Sequence, residues 1–228
     1  MPSLIEKITL YDILGYCIPG SILIGLSGAA FLLENGGYKS FYDTYKESIG
    51  YGLLVLLVLG YVAGMLIAEI TDIIIRSCKE TLNYDVKEEL RVIDFKCVEQ
   101  ALKKAKYISK DMKLRGVEDV LKYISGMYGD IQSDIKYNRI HNYSSSKLVC
   151  KNLAFVSFCG FLIVLNHFIQ SFELMFCSDV NILKVILVIS GWCVAGILFI
   201  RRWKKNYIKT NFYTVIWFID KYNTSEKE

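Results

Sequence analysis

Proline is almost missing from this chain: the two among its 228 residues are Pro2 and Pro19, so nothing beyond position 19 forbids long helices. Histidine is as scarce. His141 and His167 stand far apart and the seven cysteines form no C-x-x-C pair, which leaves no metal-ligand spacing. Cys177 falls in a loop expected outside, with no outside cysteine to join, and this disfavours a disulfide framework. No phosphate loop, dinucleotide fingerprint or nucleophile elbow occurs. With no nucleophile, metal or acid-base constellation in view, the expectation is a protein that is not an enzyme, holds no cofactor and takes no identifiable small-molecule substrate.

Charge is the other absence, and it is local. Four runs carry almost none: about 13–33, 50–75, 153–172 and 182–200. The run from Gly50 meets its first charge at Glu69, nineteen residues on, enough at about 1.5 Å per residue to cross a hydrocarbon core roughly 30 Å thick. These runs are apolar on consecutive residues rather than alternately, which excludes a transmembrane barrel. With 53% hydrophobic residues and a mean hydropathy of +0.32, the chain is too apolar for an ordinary soluble domain. Ser27-Gly28-Ala29 resembles a signal-peptide cleavage site, but Lys7 is the single positive charge ahead of it and the apolar run is too long. The fold class expected is an all-α integral membrane protein with four transmembrane helices, a cytoplasmic helical hairpin between spans two and three, and an interfacial C-terminal helix.

The charged stretches give the rest of the plan. Residues 1–76 form an N-terminal membrane hairpin, with an aromatic external loop over residues 34–49; 148–203 form a second hairpin, with Lys184 able to snorkel at its outer end. Between them, 77–147 show two amphipathic runs, Val86, Leu90, Ile93, Val98, Ala101 and Leu102, then Val117, Val120, Leu121, Ile124, Met127 and Tyr128, with a break near Ser109–Gly116. Residues 204–228 read as an amphipathic cytoplasmic tail lying at the interface. Lys and Arg number 16 against 11 acids from Arg76 to Lys151, and 7 against 3 from Arg201 to Glu228. The positive-inside rule then places both termini and the middle segment in the cytoplasm, as a multi-pass protein of the inner membrane.

Several residues are candidates for function. Pro19 and Gly20 should kink the first span. Gly60, Gly64 and Ala68 repeat every four residues and offer a close-packing face to another helix or another subunit. Glu69 and Asp72 lie one turn apart at the inner end of span two, either as carboxylates at the mouth of an oligomeric pore or solvated and paired with Arg76. Asn166 and His167 in span three suggest interhelical hydrogen bonds. Arg139 and His141 invite comparison with the Arg and His of helical ribonucleases in prokaryotic defence. Only Ile140 separates them, so on a helix they point apart, and Arg139 is better matched to a headgroup, an acid or an RNA phosphate. Lys103, Lys104 and Lys106, with Arg201, Arg202, Lys204 and Lys205, form basic cytoplasmic patches suited to anionic headgroups and, secondarily, to nucleic acid.

TLYDILGYCIPGSIL at residues 9–23, the Gly60-Tyr61-x-x-Gly64 of span two and the closing Arg201-Arg202-Trp203 with its aromatic-basic tail resemble a set of small bacterial membrane proteins, some accompanying defence loci. The arrangement is similar to the small transmembrane accessory proteins of type VI-B CRISPR systems. What the resemblance implies is a non-enzymatic accessory or effector that changes membrane permeability or modulates a cytoplasmic partner. Taken with the residues, the expected function is an oligomeric, channel-like component controlled through its cytoplasmic helices. The alternative is a membrane-anchored scaffold that recruits a cytoplasmic protein or RNA.

Overall fold

The computed structural model describes residues 13–34, 49–77, 79–132, 134, 139–175 and 182–224. Among them the chain is helical, with no strand. A π-helical turn, Ile13–Cys17, leads into α1 (Ile18–Glu34), followed by α2 (Ile49–Ser77), α3 (Lys79–Leu90), α4 (Phe95–Lys104), α5 (Val117–Gln132), α6 (Arg139–Met175) and α7 (Ile182–Thr224). Four stretches are long and apolar enough to cross a membrane: Ile13–Leu32, Gly50–Ser77, Arg139–Ile169 and Ile186–Asn223. The lead-in 1–12, the aromatic loop, Cys177 and the last residues lie outside the described residues, as does the side chain of Lys184.

The helices fall into two units. The first comprises Met1–Ile74 and Leu148–Trp203. Its apolar side chains are turned outward to an extent no water-soluble surface tolerates: on α2, Leu54 is 65% exposed and Leu66 62%, and on α7, Leu187 is 62% exposed. Such a surface is compatible with a multi-pass membrane protein, since each helix satisfies its own backbone hydrogen bonds. Many of the buried residues are small or polar instead. On α2 they are Gly60, Gly64, Ile67, Ala68 and Thr71, a stripe at helical spacing. On α6 they include Asn152, Val156, Ser157 and Gly160, and a Cβ at Gly160 would come 2.9 Å from the Trp192 ring of α7.

The second unit comprises Ile75–Lys147 and Lys204–Glu228. It has the reverse pattern, an apolar inside and a charged outside. Val86 and Leu90 of α3, Val98, Ala101 and Leu102 of α4, Ile108, and Val120 and Met127 of α5 form one core with Val215 and Phe218 of α7. Tyr107 stands edge-on to both Tyr123 and Phe218, with ring centres 6.4 and 6.0 Å apart. A smaller cluster joins Ile131 and Ile140 with Tyr128 and Trp217.

Three expectations change. The first amphipathic run is two helices, because Asp94 caps α4: its Oδ1 accepts from Lys96 N at 3.0 Å and ends the path of α3. The step across that break, Ile93 to Val98, is five residues, and among mainly three- and four-residue steps that slip is easily passed over. The residues expected as a separate tail belong to α7, which runs without interruption to Thr224. Their apolar face is not free for the interface, since Val215 is 1% exposed and Phe218 0% within the helical core. Tyr222 Oη donates to Asp130 Oδ2 at 3.1 Å and Lys221 Nζ to Asp130 O at 2.7 Å, which fastens the end of the helix to α5.

Candidate functional site

Within the first unit the polar chemistry gathers around Pro19. A proline supplies no N–H, so the carbonyl of Gly15, four residues earlier, has no α-helical donor. The chain answers with the π turn and with a donor from another helix: Asn152 Nδ2, on α6 and wholly buried, donates to Gly15 O at 2.7 Å. Thr71 Oγ1 on α2 donates to Ala68 O at 2.9 Å and lies 3.4 Å from Asn152 Oδ1. Lys151, beside Asn152, donates to the same Ala68 carbonyl at 3.2 Å and to Asp72 Oδ1 at 2.7 Å. Three helices are therefore joined by one polar cluster beneath exposed apolar side chains.

The expected kink at Pro19 and Gly20 takes the form of this turn, and Gly20 has a further role. A Cβ there would strike the Gly60 carbonyl and come 2.6 Å from Gly64 N. Conversely, a Cβ at Gly60 would strike Ser21 Oγ, and one at Gly64 the Tyr16 carbonyl oxygen. The small-residue face of α2 is thus filled by the π turn and first turn of α1. Ser21 Oγ donates to Leu56 O at 3.2 Å across the same crossing, and Tyr16 meets Tyr61 edge-on at 5.8 Å. Ala68, third in the series, contributes its carbonyl to Lys151 rather than a packing surface to another chain.

The acids part company. Asp72 is paired with Lys151, not with Arg76, which is exposed. Glu69 is exposed and, among the described residues, has no ion-pair partner. Asn166 and His167 are exposed on α6, and Asn166 borders an open cavity of about 370 Å³ with Phe31 and Leu162. Lys151 and Asn152 were not singled out from sequence as functional residues. The available signal was a lysine and an amide at the edge of an uncharged run, where an unpaired charge is costly.

In the second unit the basic surface is partly neutralised. Lys103 Nζ pairs with Glu99 at 2.7 Å, Lys104 Nζ donates to Tyr222 O at 3.3 Å, and Lys204 Nζ pairs with Asp85 at 2.9 Å. Lys106 is exposed and holds the left-handed backbone position that ends α4, φ 62°, where glycine is favoured. Arg139, Arg201, Arg202 and Lys205 are exposed. His141 Nε2 lies 3.3 Å from Gln132 O. Glu99 also accepts from Leu114 N at 3.1 Å, and the Lys103 hydrogen bond followed by this one holds its carboxyl below the usual glutamate range. Glu118 and Asp119 are lowered by the hydrogen bonds from Lys87 and Lys122.

Between α3, α5, α6 and α7 this unit has a half-open cavity of about 500 Å³. Its wall on α7 includes Thr210 and Thr214, which with Asn206 below them form a polar ladder, one turn apart and each at most 5% exposed. Thr214 Oγ1 donates to Thr210 O, Thr210 Oγ1 to Asn206 O, and Asn206 Nδ2 to Ser146 Oγ, all within 2.8 Å. Lys147 Nζ stands 5.6 Å from the centre of the Tyr207 ring. Among the described residues no cluster of three or more His, Cys, Asp or Glu could hold a metal ion. No protein-family model, curated protein or solved structure matches the chain.

Proposed function

We propose that the chain is a non-enzymatic accessory protein of the bacterial inner membrane, in which four spans anchor a cytoplasmic helical domain that recruits a protein or RNA. The observation that carries this reading is the shared core of the second unit, where Val215 and Phe218 pack with Val86, Leu102 and Met127. Segments that share a core lie on one side of a bilayer, so an even number of spans separates them. The basic excess of both segments then supports a cytoplasmic position for the domain and both termini. Anionic headgroups suit the exposed Arg201, Arg202 and Lys205. The resemblance to CRISPR-associated accessory proteins makes a defence partner the first to test.

A channel-like homo-oligomer is the second reading, favoured by Glu69, an exposed carboxylate on an otherwise lipid-facing helix. Flux measurements on the purified full chain in lipid vesicles separate the two. Anchoring predicts ion and dye leakage equal to that of protein-free vesicles. Leakage that rises with protein and disappears in Glu69→Gln would establish the channel instead.

A further inference from the structure

One face of the helical domain carries a run of stacked rings set among cations. Tyr143 of α6 and Tyr213 of α7 lie with ring centres 5.3 Å apart and planes 10° apart, and Trp217, one turn beyond Tyr213, continues the stack at 5.2 Å and 26°. Centres so far apart in nearly parallel planes mean offset rings, each covering only part of the next. All three residues are half-buried. Lys209 Nζ stands 5.7 Å from the centre of the Tyr143 ring, Lys205 lies one turn before it on α7, and Arg139 lies one turn from Tyr143 on α6. Among the described residues these three cations have no ion-pair partner, and Arg139 and Lys205 are exposed. Asp220, one turn past Trp217, is the acid at the far end. Charge alone would suit anionic headgroups. Tyr213 and Trp217, however, come 13 and 17 residues after Ile200, the end of the uncharged run, about 20 and 25 Å of helix at about 1.5 Å per residue. A headgroup layer is roughly 5–8 Å deep. Rings interleaved with cations beyond that depth match bases interleaved with phosphates.

We propose that this ridge binds single-stranded RNA, its bases continuing the stack of Tyr143, Tyr213 and Trp217 and its phosphates meeting Arg139, Lys205 and Lys209. The site lies wholly within the helical domain. The inference rests on the reading of that domain as a recruiting surface, and it names the partner as RNA rather than protein.

Fluorescence anisotropy of a labelled oligouridylate of about 15 nucleotides, with the full-length protein in phosphatidylcholine nanodiscs, tests it. The single strand should bind saturably and more tightly than the same strand annealed to oligoadenylate, and poly-L-glutamate at equal charge should not displace it. Tyr213→Ala should weaken binding about tenfold, whereas Tyr213→Phe, which keeps the ring, should not. Lys209→Gln should make the plot of log K against log salt shallower by about 0.7, the contribution of one phosphate contact on a single strand. That readout keeps the test valid if Tyr213→Ala fails to fold. No saturable binding, equal binding of the duplex, displacement by poly-L-glutamate, undiminished binding by Tyr213→Ala or an unchanged salt slope in Lys209→Gln overturns the proposal. Such a failure leaves a protein partner for the anchored domain, whereas protein-dependent leakage from vesicles would remove the anchor reading and leave RNA binding in place.

Discussion

Lys151 Nζ of α6 lies 2.7 Å from Asp72 Oδ1 of α2, and the lysine is the buried partner, its side chain 8% exposed against 50% for the aspartate. Asp72→Asn leaves a buried ammonium, still bonded to Ala68 O, without its counter-charge, whereas Lys151→Met leaves a carboxylate that water can still reach. The first should therefore cost more, about 2–3 kcal/mol against roughly 1 kcal/mol. Thermal unfolding of both variants in detergent, with the double mutant to close the cycle, checks the order. Equal losses, or a larger one for Lys151→Met, would remove the pair from its role in joining the helices.

Gly64 should tolerate nothing larger than itself. An alanine methyl would meet the Tyr16 carbonyl, a backbone atom that cannot turn aside, so Gly64→Ala is expected to destabilise by about 3 kcal/mol. Gly52, on the same helix, has open space around its added Cβ, and Gly52→Ala should cause no loss. Matched melting curves for the two variants decide it, and an unaffected Gly64→Ala would show that α1 does not depend on this crossing.

Phe218 tests whether the end of α7 belongs to the helical domain. Its side chain is fully buried in the core, and Phe218→Ala should cost about 3–5 kcal/mol. Hydrogen exchange should quicken in residues 95–132 as well as around position 218. Faster exchange confined to residues 204–224 would mean that the segment lies apart, as an interfacial helix would.

Acid should loosen α4, α5 and the loop between them. Glu99 has a folded pKa below its unfolded one, so its contribution is complete above the unfolded value of about 4.3 and is lost as pH falls through the lower folded value. Asp119 acts in the same direction. Exchange protection in residues 95–132 should fall from pH 5 to pH 3, and Glu99→Gln should flatten that fall. An unchanged slope in the variant would contradict the assignment.

The four apolar stretches were legible because hydrocarbon selects uncharged runs of fixed length, and the helical core because Val86, Leu90, Val98 and Leu102 keep a helical period. The fate of YIKTNFYTVIWFIDKY was not, since an apolar helix face reads the same whether lipid or protein covers it. Pro19 announces an orphaned carbonyl in sequence, yet nothing local names Asn152, 137 positions from Gly15, as the donor. Separation in sequence likewise hides Lys151 from Asp72, 79 positions away. The glycine face was readable as a contact, but its partner was fixed only by the fold.

A common side for the middle segment and the end of α7 is the claim on which the rest depends. Cysteines introduced at Lys110 and Lys205, both exposed, can be tagged in intact cells with a membrane-impermeant maleimide and compared with the parent's background labelling. Both positions should stay unlabelled until the inner membrane is permeabilised, then gain the tag together. Labelling of one position alone in intact cells would place the two segments on opposite sides and contradict the four-span arrangement.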